Sequence, residues 1–153
     1  MKAIPAGRFQ SRRGFRALLI AWAALAVVTA TAGSLDDAAA AYKARDYEQA
    51  ARLFAAAAKE GDPQAENNLA TMYLAGLGVK HDPAEAARWF RQSADQGFAP
   101  AQVSLGELYF NGLGVPQDDA EAVRWYRKAA DQGDAAGQNN LGAMYSDGRG
   151  VAR

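Results

Sequence analysis

The side chains that most often perform catalysis are scarce in this chain of 153 residues. It has no cysteine, which excludes disulfides and thiolate metal ligands, and His81 is its only histidine. The pattern places His81 in a turn, with no support for a nucleophile–histidine–carboxylate triad around it. Asp118 and Asp119 are neighbouring carboxylates, but adjacent positions of a helix do not face each other. We therefore predict that the protein is not an enzyme and binds neither a metal nor a cofactor.

Three pairs of glycines could be mistaken for phosphate-binding loops. The pairs are Gly76 and Gly78, Gly112 and Gly114, and Gly148 and Gly150. They follow predicted helices and lack the Lys-Ser/Thr pair that such loops carry. Two glycines in this spacing instead indicate a compact turn whose backbone angles a β-carbon would disfavour.

The glycine pairs recur because the chain repeats with a period of 36 residues. Residues 61–96 and 97–132 are identical at 18 of 36 positions without a gap. Leu69 returns as Leu105, and Trp89 returns as Trp125. A fixed period of this length is typical of solenoids, in which each unit buries one face against the next. Such folds usually offer an extended surface rather than a catalytic pocket.

Each unit has the pattern of two helices joined by the glycine turn. In the first unit Asp62 is the expected N-cap, Pro63 is the first helical residue, and Leu69 lies in an apolar stripe of helical period. The second helix begins with a capping box, Asp82 with Glu85, which the next unit repeats. We expect helices near residues 35–44, 47–59, 63–75, 83–95, 99–111, 119–131 and 135–147.

Residues 33–60 are a shorter variant of the same unit. Residues 50–54 align with residues 86–90 at the 36-residue offset, with a leucine where the later unit has tryptophan. A solenoid needs an atypical unit to close its end. Trp89 and Trp125 are the largest apolar residues of the repeats, and we expect them to anchor the stack.

Residues 101–133 carry a pattern that resembles the Sel-one-like repeat (SLR) family, which is related to the tetratricopeptide repeat. The matching residues are Ala101, Leu105, Gly106, Tyr109, Gly112, Gly114, Val115, Asp118, Ala122, Trp125, Tyr126, Ala129, Ala130 and Gly133. The preceding unit departs at Ala70, Phe90 and Ser93, where the family has Gly, Tyr and Ala. The resemblance implies an all-α fold, a right-handed α-solenoid of helix-turn-helix repeats with a tetratricopeptide-like superhelix. It also implies a role in protein–protein contacts.

The chain is accordingly divided into five segments. We assign residues 1–32 to a signal peptide, 33–60 to a tetratricopeptide-like N-terminal cap hairpin, 61–96 and 97–132 to two SLR repeats, and 133–153 to the first half of a third. The third unit stops after its glycine turn, before a second helix. We expect from this either a fragment of a longer chain or self-association at the C-terminal end.

The first segment has the order of a secretory signal peptide. Residues 1–16 are basic, residues 17–28 are apolar, and residues 30–32 form a small-x-small cleavage pattern. Residues 11–15, Ser-Arg-Arg-Gly-Phe, resemble the twin-arginine export signal, although Arg16 stands where that signal has an apolar residue. General secretion, twin-arginine export and retention as a membrane anchor all stay open. We expect a bacterial protein exported to the periplasm or secreted.

The charges are distributed unevenly along the chain. Beyond residue 32 the chain carries 12 basic and 17 acidic residues, which is a net charge of −5. An acidic domain repels a phosphate backbone, so we expect no nucleic-acid partner. Contact with a membrane is expected only through an uncleaved signal segment.

Comparison of the repeats also suggests a binding surface on the first helix of each unit. The stripe opposite the repeated leucine and tyrosine varies between units, so the scaffold does not constrain it. The candidate partner-binding residues on this stripe are Asn67, Thr71, Leu74, Val103, Glu107 and Phe110. In related solenoids the first helices line the concave face. The alternative is that these residues contact the adjacent repeat as core, and Asn68 and Asn140 beside them are interpreted as scaffold.

These features predict a non-catalytic exported scaffold that binds a peptide or protein partner on the concave face. The alternative, motivated by the export signal, is an envelope glycan-binding or peptidoglycan-processing accessory protein. Hydrolysis of cell-wall substrate that is lost on replacing Glu107 would favour that alternative.

Overall fold

The computed structural model describes residues 35–150, which form seven α-helices and contain no strand. The helices are α1 (residues 35–43), α2 (Tyr47–Lys59), α3 (Pro63–Ala75), α4 (Pro83–Asp95), α5 (Ala99–Asn111), α6 (Asp119–Asp131) and α7 (Ala135–Ser146). These bounds agree with the expected ones to within one residue, and the predicted all-α helical-repeat fold is confirmed. The predicted signal peptide lies outside the described residues. Among the described helices, none has the length and apolar character needed to cross a membrane.

The second helix of each full repeat is capped by an aspartate. The Asp82 carboxylate accepts hydrogen bonds from the N–H groups of Ala84 at 3.1 Å and Glu85 at 3.0 Å. The reciprocal bond of the expected capping box is absent here, and the Glu85 carboxylate pairs with Arg88 at 2.8 Å. The N–H of Asp82 instead donates to the carbonyl of Tyr73 at 3.0 Å. The cap therefore also ties the start of α4 to the end of α3.

The second glycine of each turn lies against the backbone of the preceding hairpin. A β-carbon at Gly78 would lie 2.0 Å from the carbonyl oxygen of Tyr47, and one at Gly114 would lie 2.0 Å from that of Pro83. Both glycines also have left-handed φ angles, +67° and +68°. These positions require glycine for two reasons, the backbone angle and the close approach of the two hairpins.

The hydrophobic core runs along the stack as three clusters that join neighbouring hairpins. Trp125 is 4% exposed and belongs to the middle cluster, with Leu105 of its own repeat and Phe90 of the preceding one. Trp89 is half-buried and contacts both the first and the middle cluster. Of the two expected anchors, only Trp125 therefore lies fully within the core.

An arginine–tyrosine contact joins successive units. The Arg91 guanidinium donates a hydrogen bond to the Tyr109 hydroxyl and lies 5.6 Å from the centre of that ring. Arg127 and Tyr145 repeat this contact at 6.0 Å in the next unit. Each arginine belongs to a second helix and each tyrosine to the following first helix. In these two units the repeated tyrosine thus links one hairpin to the next; Tyr73, which has Ala55 at the equivalent position, lacks this contact.

A buried carboxylate lies at another contact between helices. Glu66 is 3% exposed and accepts a hydrogen bond from the Gln96 side chain at 2.7 Å. Burial raises the pKa of Glu66 above its ordinary value of 4.5; the bond from Gln96 offsets part of this and the nearby Asp62 charge adds to it. In the next repeat Gln102, also buried, accepts the same bond from Gln132 at 2.8 Å. A neutral amide therefore fills this position without the cost of a buried charge.

Glu66→Gln is expected to remove a pH-dependent loss of stability. Because the pKa is raised in the folded state, the folded protein binds the Glu66 proton more tightly than the unfolded chain does. The resulting stabilisation is fully present below the ordinary pKa and is lost as the pH rises through the raised value. Urea unfolding between about pH 4 and 8 should show the wild type weakening relative to Glu66→Gln as the pH rises. Parallel pH profiles for the two proteins would contradict the assignment.

Candidate functional site

The residues considered above for catalysis lie in a turn or at the start of a helix. His81 is exposed in the turn before α4, and Asp118 is the N-cap of α6. Asp119 receives two hydrogen bonds from Arg149 in the third glycine turn, at 2.8 and 2.9 Å. Within residues 35–150, no group of three or more His, Asp or Glu side chains is placed to hold a metal ion.

The six residues of the candidate stripe differ in accessibility. Thr71 and Glu107 are exposed, and Val103 is buried. The other three, Asn67, Leu74 and Phe110, are half-buried. The stripe is consequently not one continuous exposed face. Each residue has to be placed by its own contacts.

Val103 belongs to the core. It is 8% exposed and packs in the third cluster with Tyr126 of α6 and Met144 of α7. This position on the second turn of α5 is covered by residues of α6 and α7, which the period of a single helix does not reveal. The expectation that Val103 lies on an accessible binding face is corrected accordingly.

Two further residues of the stripe contact the interior. Leu74 packs against the middle cluster. The Asn67 side-chain oxygen is buried and has no hydrogen-bond partner among the described residues, while its backbone carbonyl accepts a bond from the Thr71 hydroxyl at 2.9 Å. For these two residues the contacts agree better with the core alternative than with a free surface.

Thr71 lines a groove that we call the first groove, between α1 and α3. Its volume is about 250 Å³, and its other lining residues are Ala39, Tyr42, Lys43, Phe54 and Asn68. Phe54 is 4% exposed, whereas Tyr42 is 38% exposed. The groove therefore combines an apolar floor with an aromatic and polar rim. Within the described part of the chain, Lys43 is the only charged residue that lines it.

Phe110 lines a smaller groove, which we call the second groove, between α5 and α7. Its volume is about 100 Å³, and its other lining residues are Tyr126, Asn140, Ala143, Met144 and Asp147. Phe110 is half-buried against the third cluster, and the Arg149 guanidinium lies 4.2 Å from the centre of its ring. Asp147, exposed at the end of α7, is the only carboxylate among the described residues that lines this groove.

The two grooves occupy equivalent positions two repeats apart. Three pairs of lining residues are separated by 72 positions each: Phe54 and Tyr126, Asn68 and Asn140, and Thr71 and Ala143. In each groove an aromatic residue of a second helix forms the floor, and the following first helix forms one wall. The repeat itself therefore generates the groove, and the substitutions within it set its chemistry.

Sequence reasoning missed Tyr42 and Lys43 of the first groove. The N-terminal hairpin has a turn four residues shorter than the others, so its first helix falls out of register with the 36-residue period. Allowing for those four residues aligns Tyr42 with Leu74 and Phe110 of the candidate stripe. That corrected alignment would have identified an aromatic residue at the same position of α1.

Two carboxylates, Asp147 and Glu107, contribute negative charge at the second groove. The pKa of the Tyr126 hydroxyl is raised to about 12, first by burial and second by the charge of Glu107. Glu107 therefore acts on the tyrosine that lines this groove, in addition to Asp147 within it. The Arg149 guanidinium nearby is already paired with Asp119.

The stacked hairpins and their repeated grooves define an α-helical repeat scaffold. The Sel1 repeat model matches residues 40–62, 63–98, 99–134 and 135–153, so the chain belongs to the Sel1 repeat family. Proteins of this family are generally scaffolds for protein–protein interaction and are typically not enzymes. Comparison with curated protein sequences found no match.

Solved structures of bacterial proteins share the fold. A protective antigen of uropathogenic Escherichia coli with an SLR fold is 50% identical over 69% of this chain, with a TM-score of 0.67. A Sel1 repeat protein from Oxalobacter formigenes is 37% identical over 76% of this chain, with a TM-score of 0.73. The chain spans 22% and 48% of the length of these proteins. Cysteine-rich protein B of Helicobacter pylori is 21% identical over 60% of this chain and 68% of its own, with a TM-score of 0.57, which supports the fold alone.

Proposed function

We propose that this protein is an exported, non-catalytic scaffold that holds a peptide segment of a protein partner on the face formed by its first helices. The observation that carries the proposal is the first groove, with Phe54 as its floor and the exposed Tyr42 at its rim. Its volume of about 250 Å³ is just below the range of pockets for drug-sized ligands, roughly 300–1,000 Å³. A groove of that size suits a side chain of a bound peptide.

The rim of the first groove supports recognition of a polypeptide backbone. The Asn68 amide provides donors and an acceptor, and the Thr71 hydroxyl is exposed beside it. Tyrosine is over-represented among residues that dominate binding energy because it buries a large ring and keeps a polar end. An apolar floor with polar groups at its edge is also the usual composition of a specific interface.

Photo-crosslinking tests which face contacts the partner. A photoreactive phenylalanine at position 42 or 110 should form crosslinks to protein in an extract of the compartment where the chain resides. The same group at position 88 is the control, because the Arg88 side chain is exposed on the second helix of its unit. Crosslinks of equal yield from position 88 would contradict the proposed face. Capture by purified sacculi without protein crosslinks would favour the glycan-binding alternative.

Tyr42→Ala and Phe110→Ala are each expected to weaken partner binding by roughly thirtyfold, which corresponds to about 2 kcal/mol. The reason is the loss of an aromatic contact area at the groove rim. The measurement is affinity for the crosslinked partner alongside the thermal unfolding midpoint of each variant. Tyr42→Ala should change the midpoint least, because that side chain is 38% exposed.

Phe110→Ala also needs a stability control, because its ring packs against the third cluster. If Phe110→Ala lowers the unfolding midpoint as much as Trp125→Ala does, Phe110 is a core residue and its place on the binding face is wrong. The Tyr42 result would then decide the proposal alone.

The exported location is tested separately from binding. Cell fractionation of the full chain, with N-terminal sequencing of the recovered protein, should find it outside the cytoplasm and beginning near residue 33. Replacing Arg12 and Arg13 by lysine should block export if the twin-arginine route is used, and should have little effect if general secretion is used. Recovery of the uncleaved chain from the cytoplasm would contradict export.

A further inference from the structure

The first and second grooves have the same geometry but opposite charges. Among residues 35–150, Lys43 is the one charged residue that lines the first groove, and Asp147 is the one that lines the second. Both side chains are exposed at the end of a first helix. Neither forms a salt bridge with another described residue. Within the described residues, the two charges are thus not committed to an ion pair.

The charges near the second groove increase this contrast. Glu107 is exposed and close enough to act on the Tyr126 hydroxyl, so a second carboxylate contributes at that end. The Arg149 guanidinium, which lies over the Phe110 ring, is paired with the Asp119 carboxylate by two hydrogen bonds. The line of first helices thus has a positive groove at α1 and a negative groove at α7.

We propose that a single extended peptide segment with opposite charges at its two ends occupies both grooves. Its acidic end lies at Lys43 and its basic end at Asp147. An apolar side chain next to the acidic end enters the first groove over Phe54, and another next to the basic end enters the second groove beside Phe110. This inference rests on the proposed function and names the chemistry of the partner.

The separation of the grooves sets the length of the segment. The walls of the two grooves are first helices two repeats apart. Packed helices lie roughly 8–10 Å apart, so two such steps are about 20 Å. An extended chain advances about 3.3 Å per residue, so about six residues bridge the grooves. The two apolar anchors are therefore expected about six positions apart, with a charged residue outside each.

Charge order gives the scaffold selectivity among peptides. A segment that is acidic at both ends would place a carboxylate at Asp147, and one that is basic at both ends would place a cation at Lys43. Either arrangement brings like charges together, which excludes wrong partners more effectively than it increases affinity for the right one. Because these charges are exposed, the preference should decline as the salt concentration rises.

Selection from a random twelve-residue peptide library, with the full chain as bait, tests the inference. The enriched peptides should contain an acidic residue, an apolar residue, a second apolar residue about six positions away and then a basic residue. Lys43→Glu should convert the selected acid to a base, and Asp147→Lys should convert the selected base to an acid. For a peptide from the wild-type selection, each reversal should weaken binding about tenfold.

Matched controls reverse the same charges elsewhere. Lys59→Glu changes an exposed lysine in the last turn of α2, and Asp131→Lys changes an exposed aspartate at the end of α6. Neither control should alter the selected sequences. Enriched peptides without separated charges, or with charges that ignore the Lys43 and Asp147 reversals, would overturn the inference while leaving a peptide scaffold in place. An absence of enriched peptides would also overturn it, and crosslinking from position 42 then decides the proposed function independently.

Discussion

Trp125→Ala is expected to unfold the repeat array, with a loss of about 3–5 kcal/mol of stability. Trp125 is 4% exposed and packs in the cluster that joins two successive repeats. The Lys128 ammonium lies 3.8 Å from the centre of its ring, so truncation also removes a cation–π contact. The cavity left by alanine would weaken the contact between neighbouring repeats. The expected loss of stability approaches the whole free energy of unfolding of a small domain. The measurement is urea unfolding followed by circular dichroism.

Trp125→Phe is the matched variant for this experiment. The indole N–H of Trp125 has no hydrogen-bond partner among the described residues. Replacement by phenylalanine therefore removes packing contacts but no hydrogen bond to those residues. We expect a loss of about 1–2 kcal/mol with the array still folded. Equal losses for the alanine and phenylalanine variants would show that the ring volume is not what stabilises this contact.

Gly114→Ala is expected to destabilise the protein by about 3–4 kcal/mol, although it adds a single methyl group. The new β-carbon would lie 2.0 Å from the carbonyl oxygen of Pro83, and Gly114 has a φ of +68°. Because this oxygen belongs to the backbone, no side-chain rotation can remove the clash. The two hairpins would have to move apart. The measurement is the free energy of unfolding from urea titration.

Gly97→Ala isolates the backbone-angle part of this effect. Gly97 has a φ of +90°, but a β-carbon there would have no atom within 4 Å. We expect Gly97→Ala to cost only about 1–2 kcal/mol, the ordinary penalty for a side chain in the left-handed region. If the two substitutions cost the same, the close approach of Gly114 to Pro83 contributes nothing.

The secondary structure was predictable because its signals are local. The N-cap aspartates, the residues of helical period and the glycines after each helix act within one or two turns of chain. They placed the helices to within one residue, and the 36-residue period identified the stack and its family. A prediction from a local pattern was wrong where a backbone hydrogen bond to the preceding helix competed with it. Glu85 was expected to complete a capping box, but the N–H of Asp82 bonds to Tyr73 instead.

The candidate binding surface was only partly predictable because it depends on how the hairpins pack. Thr71 and Phe110 were identified from repeat variation and line the grooves, although their role in binding stays a proposal. Tyr42 was missed because the shorter turn shifts α1 out of the repeat register. Val103 was misplaced because its accessibility is decided by two neighbouring helices. A helical period shows which residues share a face, but not how far the next helix covers that face.

The sequence by itself determined the helices, the repeat and the exclusion of disulfides and thiolate metal ligands. Only the tertiary structure decided why Gly114 must lack a β-carbon, which residues of the first helices stay accessible, and that grooves of opposite charge lie two repeats apart. The physical reason is the range of the interactions. Capping and periodicity act between residues close in the chain, whereas close approach, burial and groove shape arise between residues about 30 positions apart that become neighbours when the hairpins stack.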